Sequence, residues 1–420
     1  MNLQQETVPV MKRLAKAITT PETRDTWKRW AFQLYTRIYP RKSQYRQRRP
    51  FGVNLIGHIR GDFGLGESCR IVAGILKTAQ IPFTIYNLPL NGPASEGDLS
   101  WTDYEENVLP YNINLIHLNP NEIANAIWKL DRSVLRSSYN IAYWLWELPE
   151  FPDEWAYTFC LFDEIWVPTE FIAQSIRKKT QKPVYVMPYG IRTPQTNAQF
   201  DRAYFGLPEN LTLFMLSYDG NSVSERKNPK GAIRAYCKAF SPKDTGVGLV
   251  VKATHAQKED EVFLETLKRE YPNIFVLTDS YTKEEFNSLI ACVDVYVSLH
   301  RAEGFGLVMA EAILLGTAVV ATDWSANTEF MNGTVACMVP AEVVELEQDC
   351  FPYRKGNHWA NPDEDIAARM MRQLYGDPAK RKDLTETARR FAQENLSYEK
   401  AAHPMENRLE ELKKEEKLLP

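Results

Sequence analysis

Two acids, Glu303 and Glu311, bracket the run Glu303-Gly304-Phe305-Gly306-Leu307-Val308-Met309-Ala310-Glu311, with seven residues between them. Glu311 is surrounded by Leu307, Val308, Met309, Ala310, Ala312, Ile313, Leu314 and Leu315, so a helix here would bury an ionised carboxylate. Such burial costs several kcal/mol unless a partner is supplied, and a ligand rich in hydroxyls is one such partner. The amides of Gly304, Phe305 and Gly306, at the start of that helix, would suit an anion such as phosphate. Another reading stays open: Glu303 only caps the helix and offsets its positive end, while Glu311 pairs with a buried basic residue.

Cations fit for the same anion occur at Arg226-Lys227-Asn228-Pro229, ahead of a helix marked by Ala232, Ile233, Ala235 and Tyr236. Arg grips two oxygens at once and Lys acts as a point charge, a pairing that suits a pyrophosphate; the bland alternative is two exposed surface cations. A second loop, His58-Ile59-Arg60-Gly61-Asp62-Phe63-Gly64-Leu65-Gly66, has glycines that let backbone approach a ligand closely. It fails the dinucleotide fingerprint, because the third position counted from Gly64 is Cys69 and the strand Thr84–Asn87 ends without the acid a ribose needs. His117 ends the apolar run Ile113–Ile116; a lone histidine there is often structural, and His58 competes with it. The aromatic run from Ile141 to Trp155 offers Trp146 and Glu147 as a wall on which a sugar ring would stack, although such clusters more often form core.

These loops need strands to place them. Phe51–Gly57, Thr84–Asn87, Ile113–Ile116, Glu164–Val167, Val184–Ile191, Leu211–Ser217, Leu249–Lys252, Asn273–Thr278, Val293–Ser298 and Ala318–Thr322 read as short strands separated by helical patterns. Regular βα alternation predicts parallel sheets, with ligands at the carboxyl edges of the strands. At 420 residues, 44% hydrophobic and 25% charged, the chain is too long for one ordinary domain. Asp363-Glu364-Asp365 follows Pro362 and reads as a helix cap rather than a metal site.

The two acids spaced around Gly-Phe-Gly resemble the signature of family 4 glycosyltransferases, the retaining group with the GT-B fold. The resemblance covers roughly residues 51 to 400 and implies an α/β architecture of two Rossmann-like domains with parallel sheets facing a central cleft. It divides the chain into an arm at 1–50, an acceptor-side domain at 51–205, a nucleotide-sugar-binding domain at 206–385 and a helical segment at 386–420 that returns to the first domain. It implies that Glu303 contacts hydroxyls of the transferred sugar, that Gly304, Phe305, Gly306 and Leu307 lie against sugar and phosphate, and that Glu311 holds the ribose. Lys227 and Arg226 inherit the pyrophosphate, Gly64 and Gly66 the donor-facing glycine loop, with Arg70 behind them. His117 inherits a place near the anomeric carbon. The family usually places its Arg about five residues before the Lys, whereas Arg226 is adjacent to Lys227, which makes Arg226 the less secure assignment. Ser325, Asn327 and Glu329 fall in the family's small-residue loop near the phosphates, and the base is expected near Thr278 to Tyr281. No metal and no bound cofactor are expected; the partners implied are a nucleotide-sugar donor and a glycan or lipid-linked acceptor. Two rivals share the architecture: a non-catalytic scaffold subunit, and an epimerase or phosphorylase.

Charge is concentrated at one end. Residues 1–50 hold twelve Lys and Arg against three acids, a net of +9, so the remainder carries −13 to give −4 overall. Met11, Leu14, Ala15 and Ile18, then Trp27, Trp30, Ala31, Leu34, Tyr35 and Ile38, recur at helical spacing. A basic amphipathic helix of this kind either lies on an anionic membrane surface or docks its aromatic face on the body; nucleic-acid binding is not expected. Six cysteines stand singly, without the pairs of a zinc site or a disulfide framework. No run approaches the ~18 apolar residues of a spanning helix and no secretory leader is evident. A cytoplasmic protein, peripheral at most on the inner face of the membrane, is expected.

Overall fold

The computed structural model describes residues 21–38, 49–90, 96–130, 132–220 and 222–414. The predicted Met11–Ile18 stripe lies outside them. Two six-stranded sheets dominate. The first contains β1 (Val53–Gly57), β2 (Phe83–Asn87), β3 (Ile113–His117), β4 (Tyr139–Tyr143), β5 (Glu164–Val167) and β6 (Val184–Val186), in the order β2-β1-β3-β4-β5-β6. All neighbours are parallel. The strands are short and β-branched because helices cover both faces, and β1, β3, β4 and β5 are buried along their whole length. Register is pinned by three buried asparagines in one row: Asn54 Nδ2 donates to Asn114 Oδ1 at 2.8 Å, and Asn114 Nδ2 to Asn140 Oδ1 at 2.8 Å. Asn54 also donates to the carbonyl of Tyr111, and Asn140 to those of Leu135 and Leu161.

The second sheet holds β7 (Thr212–Asp219), β8 (Val247–Thr254), β9 (Ile274–Leu277), β10 (Val295–Ser298), β11 (Ala318–Thr322) and β12 (Cys337–Val339), in the order β12-β11-β10-β7-β8-β9. Each sheet changes direction once, between β1 and β3 and between β7 and β10, and at such switch points the loops leaving the strand ends diverge and open a crevice. Sequence reading did not foresee the next element, an antiparallel hairpin of β13 (Ala341–Glu345) and β14 (His358–Pro362). The acidic run after it behaves as expected, with Asp363 accepting from the amides of Asp365 and Ile366 at 2.9 Å each to start the helix Glu364–Gly376.

Two helices end the described chain. Pro378–Asn395 packs on Leu307–Leu315 of the second half, while Tyr398–Lys414 packs on Gly64–Thr78 of the first. The last helix buries Ala401, Ala402, Met405, Arg408, Leu409 and Leu412. Helix Pro21–Ile38 is docked as well, and three residues of the predicted stripe face solvent. Phe32 is the fully buried residue, edge-on to Tyr157 at 5.0 Å, whereas Trp27, Trp30 and Leu34 are exposed. Among the described residues no helix is long and apolar enough to cross a membrane.

Candidate active site

The loops at the second switch point meet through Asn228. This residue caps helix Pro229–Ala239 from a left-handed conformation (φ +51°), accepts from Gly231 N at 3.2 Å, and donates Nδ2 to the Leu299 carbonyl just beyond β10 at 2.8 Å. Arg226 and Lys227 are thereby brought to Glu303. Lys227 Nζ donates to Glu303 Oε1, and Arg226 Nη1 stands 3.3 Å from the same oxygen while donating to the Ala302 carbonyl at 2.8 Å. Arg226 is buried and Lys227 partly so, which sets the pair apart from freely exposed surface cations. Its Nε has no hydrogen-bond partner among the described residues. Glu303 is buried too. Burial resists its ionisation, but Lys227 and Arg226 outweigh this and hold its carboxyl at about 2. Burial and the neighbouring Arg226 lower the Lys227 ammonium against the pull of Glu303.

The loop beyond Glu303 is fixed from behind. Glu303 N donates to Ser325 Oγ at 3.0 Å, and buried His300 lies with Nε2 3.0 Å from Asn327 Oδ1. Ser325 and Asn327 thus support the loop. Glu303 does not cap helix Leu307–Leu315; Gly306 does, at φ +100°, where a Cβ would sit 2.5 Å from Met309 Cε. The Gly306 carbonyl accepts from the amides of Met309 and Ala310 at 3.1 Å, closing the first turn of that helix. Phe305 packs between Tyr189 and Phe330, 4.8 and 4.9 Å between centroids. One helical turn on, buried Glu311 accepts from Lys283 Nζ at 2.5 Å through Oε1, while its Oε2 has no partner. Burial raises the Glu311 carboxyl, countered by Lys283. Glu67, at the start of helix Gly64–Thr78, acts on both Glu311 and Lys283 electrostatically, which places the glycine loop of the first half opposite this carboxylate.

Within that glycine loop Gly66 is required sterically, since a Cβ would lie 2.1 Å from the Gly61 carbonyl oxygen; Gly64 faces open space. Arg70 straps the loop instead of reaching out, donating Nη1 to the carbonyls of Ile59 and Gly61 at 2.9 Å and pairing with Glu67 and Asp98. His117 is fully buried and stacks on Tyr143 at 5.0 Å. Its Nε2 lies 2.7 Å from Ser68 Oγ, which bonds Tyr189 in turn, and its Nδ1 has no partner. The ring stands behind Tyr189 rather than on an open surface, and burial lowers its pKa to about 3. His58 is tied at Nδ1 to the Leu88 carbonyl, 2.7 Å, and faces Glu122 at 3.4 Å.

Three further features complete the site. Glu147 sits at its edge: a Cβ on Gly304 would be 3.7 Å from Glu147 Cγ, and the Glu147 charge acts on both Arg226 and Lys227. Its neighbour Trp146 is core, so the aromatic run splits between wall and packing. Tyr353, from the loop joining β13 to β14, donates its hydroxyl to Glu147 Oε2 at 3.0 Å and packs on Trp146. The hairpin is pinned to the site as well, with Ala360 N donating to the Arg301 carbonyl at 2.9 Å. Third, Lys252, two residues before the end of β8, is buried, with Nζ 4.9 Å from the Tyr281 ring centroid, near the segment expected to meet the base. The Glu329 carboxylate accepts from the amides of Glu170 and Phe171, closing the start of helix Glu170–Arg177 in the other half. Among the described residues no three His, Cys, Asp or Glu side chains group closely enough to hold a metal ion.

Residues 216–350 match the family model of group 1 glycosyl transferases. No curated protein matches the chain by sequence. Several solved structures match across most of it. The Anabaena protein HepE in complex with UDP and glucose is 13% identical, covering 86% of this chain and 100% of its own, at a TM-score of 0.60. Sucrose-phosphate synthase from Thermosynechococcus elongatus is 14% identical over 86% and 99%, at 0.59. A glycosyltransferase from Rickettsia africae is 12% identical over 87% and 99%, at 0.57. With these and the two parallel sheets, the fold is GT-B.

Proposed function

We propose that the chain is a retaining glycosyltransferase of the family 4 type, moving a hexosyl unit from a nucleotide-sugar to an acceptor hydroxyl in bacterial glycan, polysaccharide or glycolipid synthesis. The observation that carries this reading is the convergence, on one helix start, of a buried acid and two cations, with the buried Oε2 of Glu311, which has no hydrogen-bond partner, a turn away. A nucleotide-sugar presents matching groups in that order: sugar hydroxyls, a pyrophosphate and a ribose. HepE and a pneumococcal O-GlcNAc transferase were solved with UDP and a sugar, which supports UDP-sugars as the first donors to test.

The reaction breaks the bond from the anomeric carbon to the phosphate oxygen and forms one to the acceptor oxygen on the same face. The leaving pyrophosphate takes the acceptor's proton, so no protein base is required. Arg226, Lys227 and the amides at Gly304, Phe305, Gly306 and Leu307 would neutralise the charge that develops on it, and turnover is expected to persist in EDTA. Glu303 would orient the sugar, Gly64 and Gly66 would let backbone close on the donor, and His117 would line the sugar side through Tyr189 and Ser68.

The test is binding and turnover across UDP-, GDP- and ADP-sugars with EDTA present, then Glu311→Ala with the best donor. Selective binding lost in the variant, with sugar transferred to an added acceptor, is the expected result. Donor binding with no transfer to any acceptor, or product formed without one, would overturn the reading in favour of a scaffold or an epimerase.

A further inference from the structure

Helix Pro21–Ile38 turns one face to the body and a different one to solvent. Phe32 is fully buried, and the helix rests on Pro120–Ala126 and on the turn Asp153–Leu161. Trp27, Trp30 and Leu34, spaced as one stripe on another side, are 66%, 58% and 40% exposed, the two indoles edge-to-face at 6.2 Å. Packing on the body therefore does not explain why these three residues are apolar. The exposed Arg37 lies beside them, in an arm whose net charge is +9 against −13 for the remaining chain.

We propose that the Trp27–Trp30–Leu34 face is a docking surface for an anionic lipid bilayer. Indole rings settle at headgroup depth, where one edge is wet and the body apolar. Flanking cations add attraction to anionic headgroups that falls with salt, and the helix is too polar to span, so it would lie in the interface. The helix rests on the half of the molecule that carries the glycine loop. If the transferase reading holds, the surface brings the acceptor side of the cleft to a lipid-linked acceptor; lipid binding itself does not depend on that reading.

The test is flotation of the full chain with vesicles of phosphatidylcholine alone or mixed with phosphatidylglycerol, at low and high salt, using wild type and Trp27→Ser/Trp30→Ser. UDP affinity and the thermal midpoint are followed in parallel. Flotation on the anionic vesicles, weakened by salt and reduced at least about tenfold in the double variant with UDP affinity unchanged, is expected. In wild type, indole emission should also be quenched by lipids brominated in the acyl chains, through a component the double variant lacks. No flotation on anionic vesicles, equal flotation of the double variant, equal flotation on phosphatidylcholine alone, or a lipid-free dimer that the substitutions dissolve would each overturn the proposal. Intact UDP affinity beside a failed flotation would leave the transferase reading standing.

Discussion

Lys227 and Glu303 come from loops 76 residues apart and meet in a partly buried ion pair to which the buried Arg226 adds a second cation. The three groups act as a unit, so removing one leaves an uncompensated charge. Glu303→Gln keeps the shape and removes the charge; turnover should fall by about 10²-fold, the scale of a misplaced substrate, with UDP affinity little changed. Lys227→Ala should weaken both, because the ammonium faces the leaving group. Steady-state kinetics with UDP calorimetry separates the two, and a Glu303→Gln enzyme with full turnover would remove this acid from the site.

Glu311 shares one oxygen with Lys283 and keeps the other empty and buried. A hydrogen bond to a charged group contributes about 1.5–3 kcal/mol, so Glu311→Ala should weaken nucleotide binding by roughly ten- to a hundredfold. Lys283→Met should act more mildly, since its ammonium is half exposed. Calorimetry with UDP alone is sufficient, and unchanged affinity would place the ribose elsewhere.

Tyr353 reaches Glu147 from a hairpin outside both sheets, and Glu147 faces the cations that would hold the pyrophosphate. Tyr353→Phe keeps the packing on Trp146 and deletes one hydrogen bond to a carboxylate, a stability change of about 1.5–3 kcal/mol. If the bond orients Glu147 toward substrate, kcat or the acceptor KM should change by more than that loss of stability explains, while UDP affinity holds. A variant with native kinetics would make the hairpin a purely structural clamp.

Glu164 on β5 is fully buried and receives Arg408 from the last helix, Nη2 to Oε2 at 2.7 Å, together with the Tyr139 hydroxyl and the Trp166 indole. Removing one partner of such a pair costs about 3–5 kcal/mol. Arg408→Ala should therefore lower the thermal midpoint by several degrees or more, while Arg408→Ala/Glu164→Gln should recover part of the loss. An additive double variant would argue against coupling.

Much of this architecture was legible because β-branched runs between glycines and polar turns mark parallel strands, and because Asn228-Pro229 and Gly306 announce helix starts. The hairpin was not, since Ala341–Glu345 is short and charged and β14 ends on Pro362. Glu147 was legible as a residue but not in its role: alternate positions of one aromatic run face core or cleft, and only packing decides that Trp144 and Trp146 go inward. Phe32 was missed for a related reason. With apolar residues on more than one side of a helix, periodicity finds a face without telling which face the body takes.

Acid sensitivity provides a further test, with His117 as its probe. Burial holds the folded imidazole at about 3, against 6.5 when unfolded. The unfolded state therefore binds the proton first, and the stability contributed by neutral His117 is complete above pH 6.5 and lost as pH falls toward 3. Glu303, held at about 2 against 4.5, acts in the same direction at lower pH. His58 opposes them: burial lowers its pKa, but Glu122 and the Leu88 carbonyl raise it on balance, so its contribution is present below 6.5 and fades as pH rises. His117→Gln removes one group and leaves the others. Thermal midpoints of wild type and variant, compared from pH 8 to pH 5, should draw together as pH falls, by at most about 1.4 kcal/mol per pH unit below 6.5. A gap that stays constant or widens would mean that His117 takes up its proton in the folded protein, and is reached by solvent.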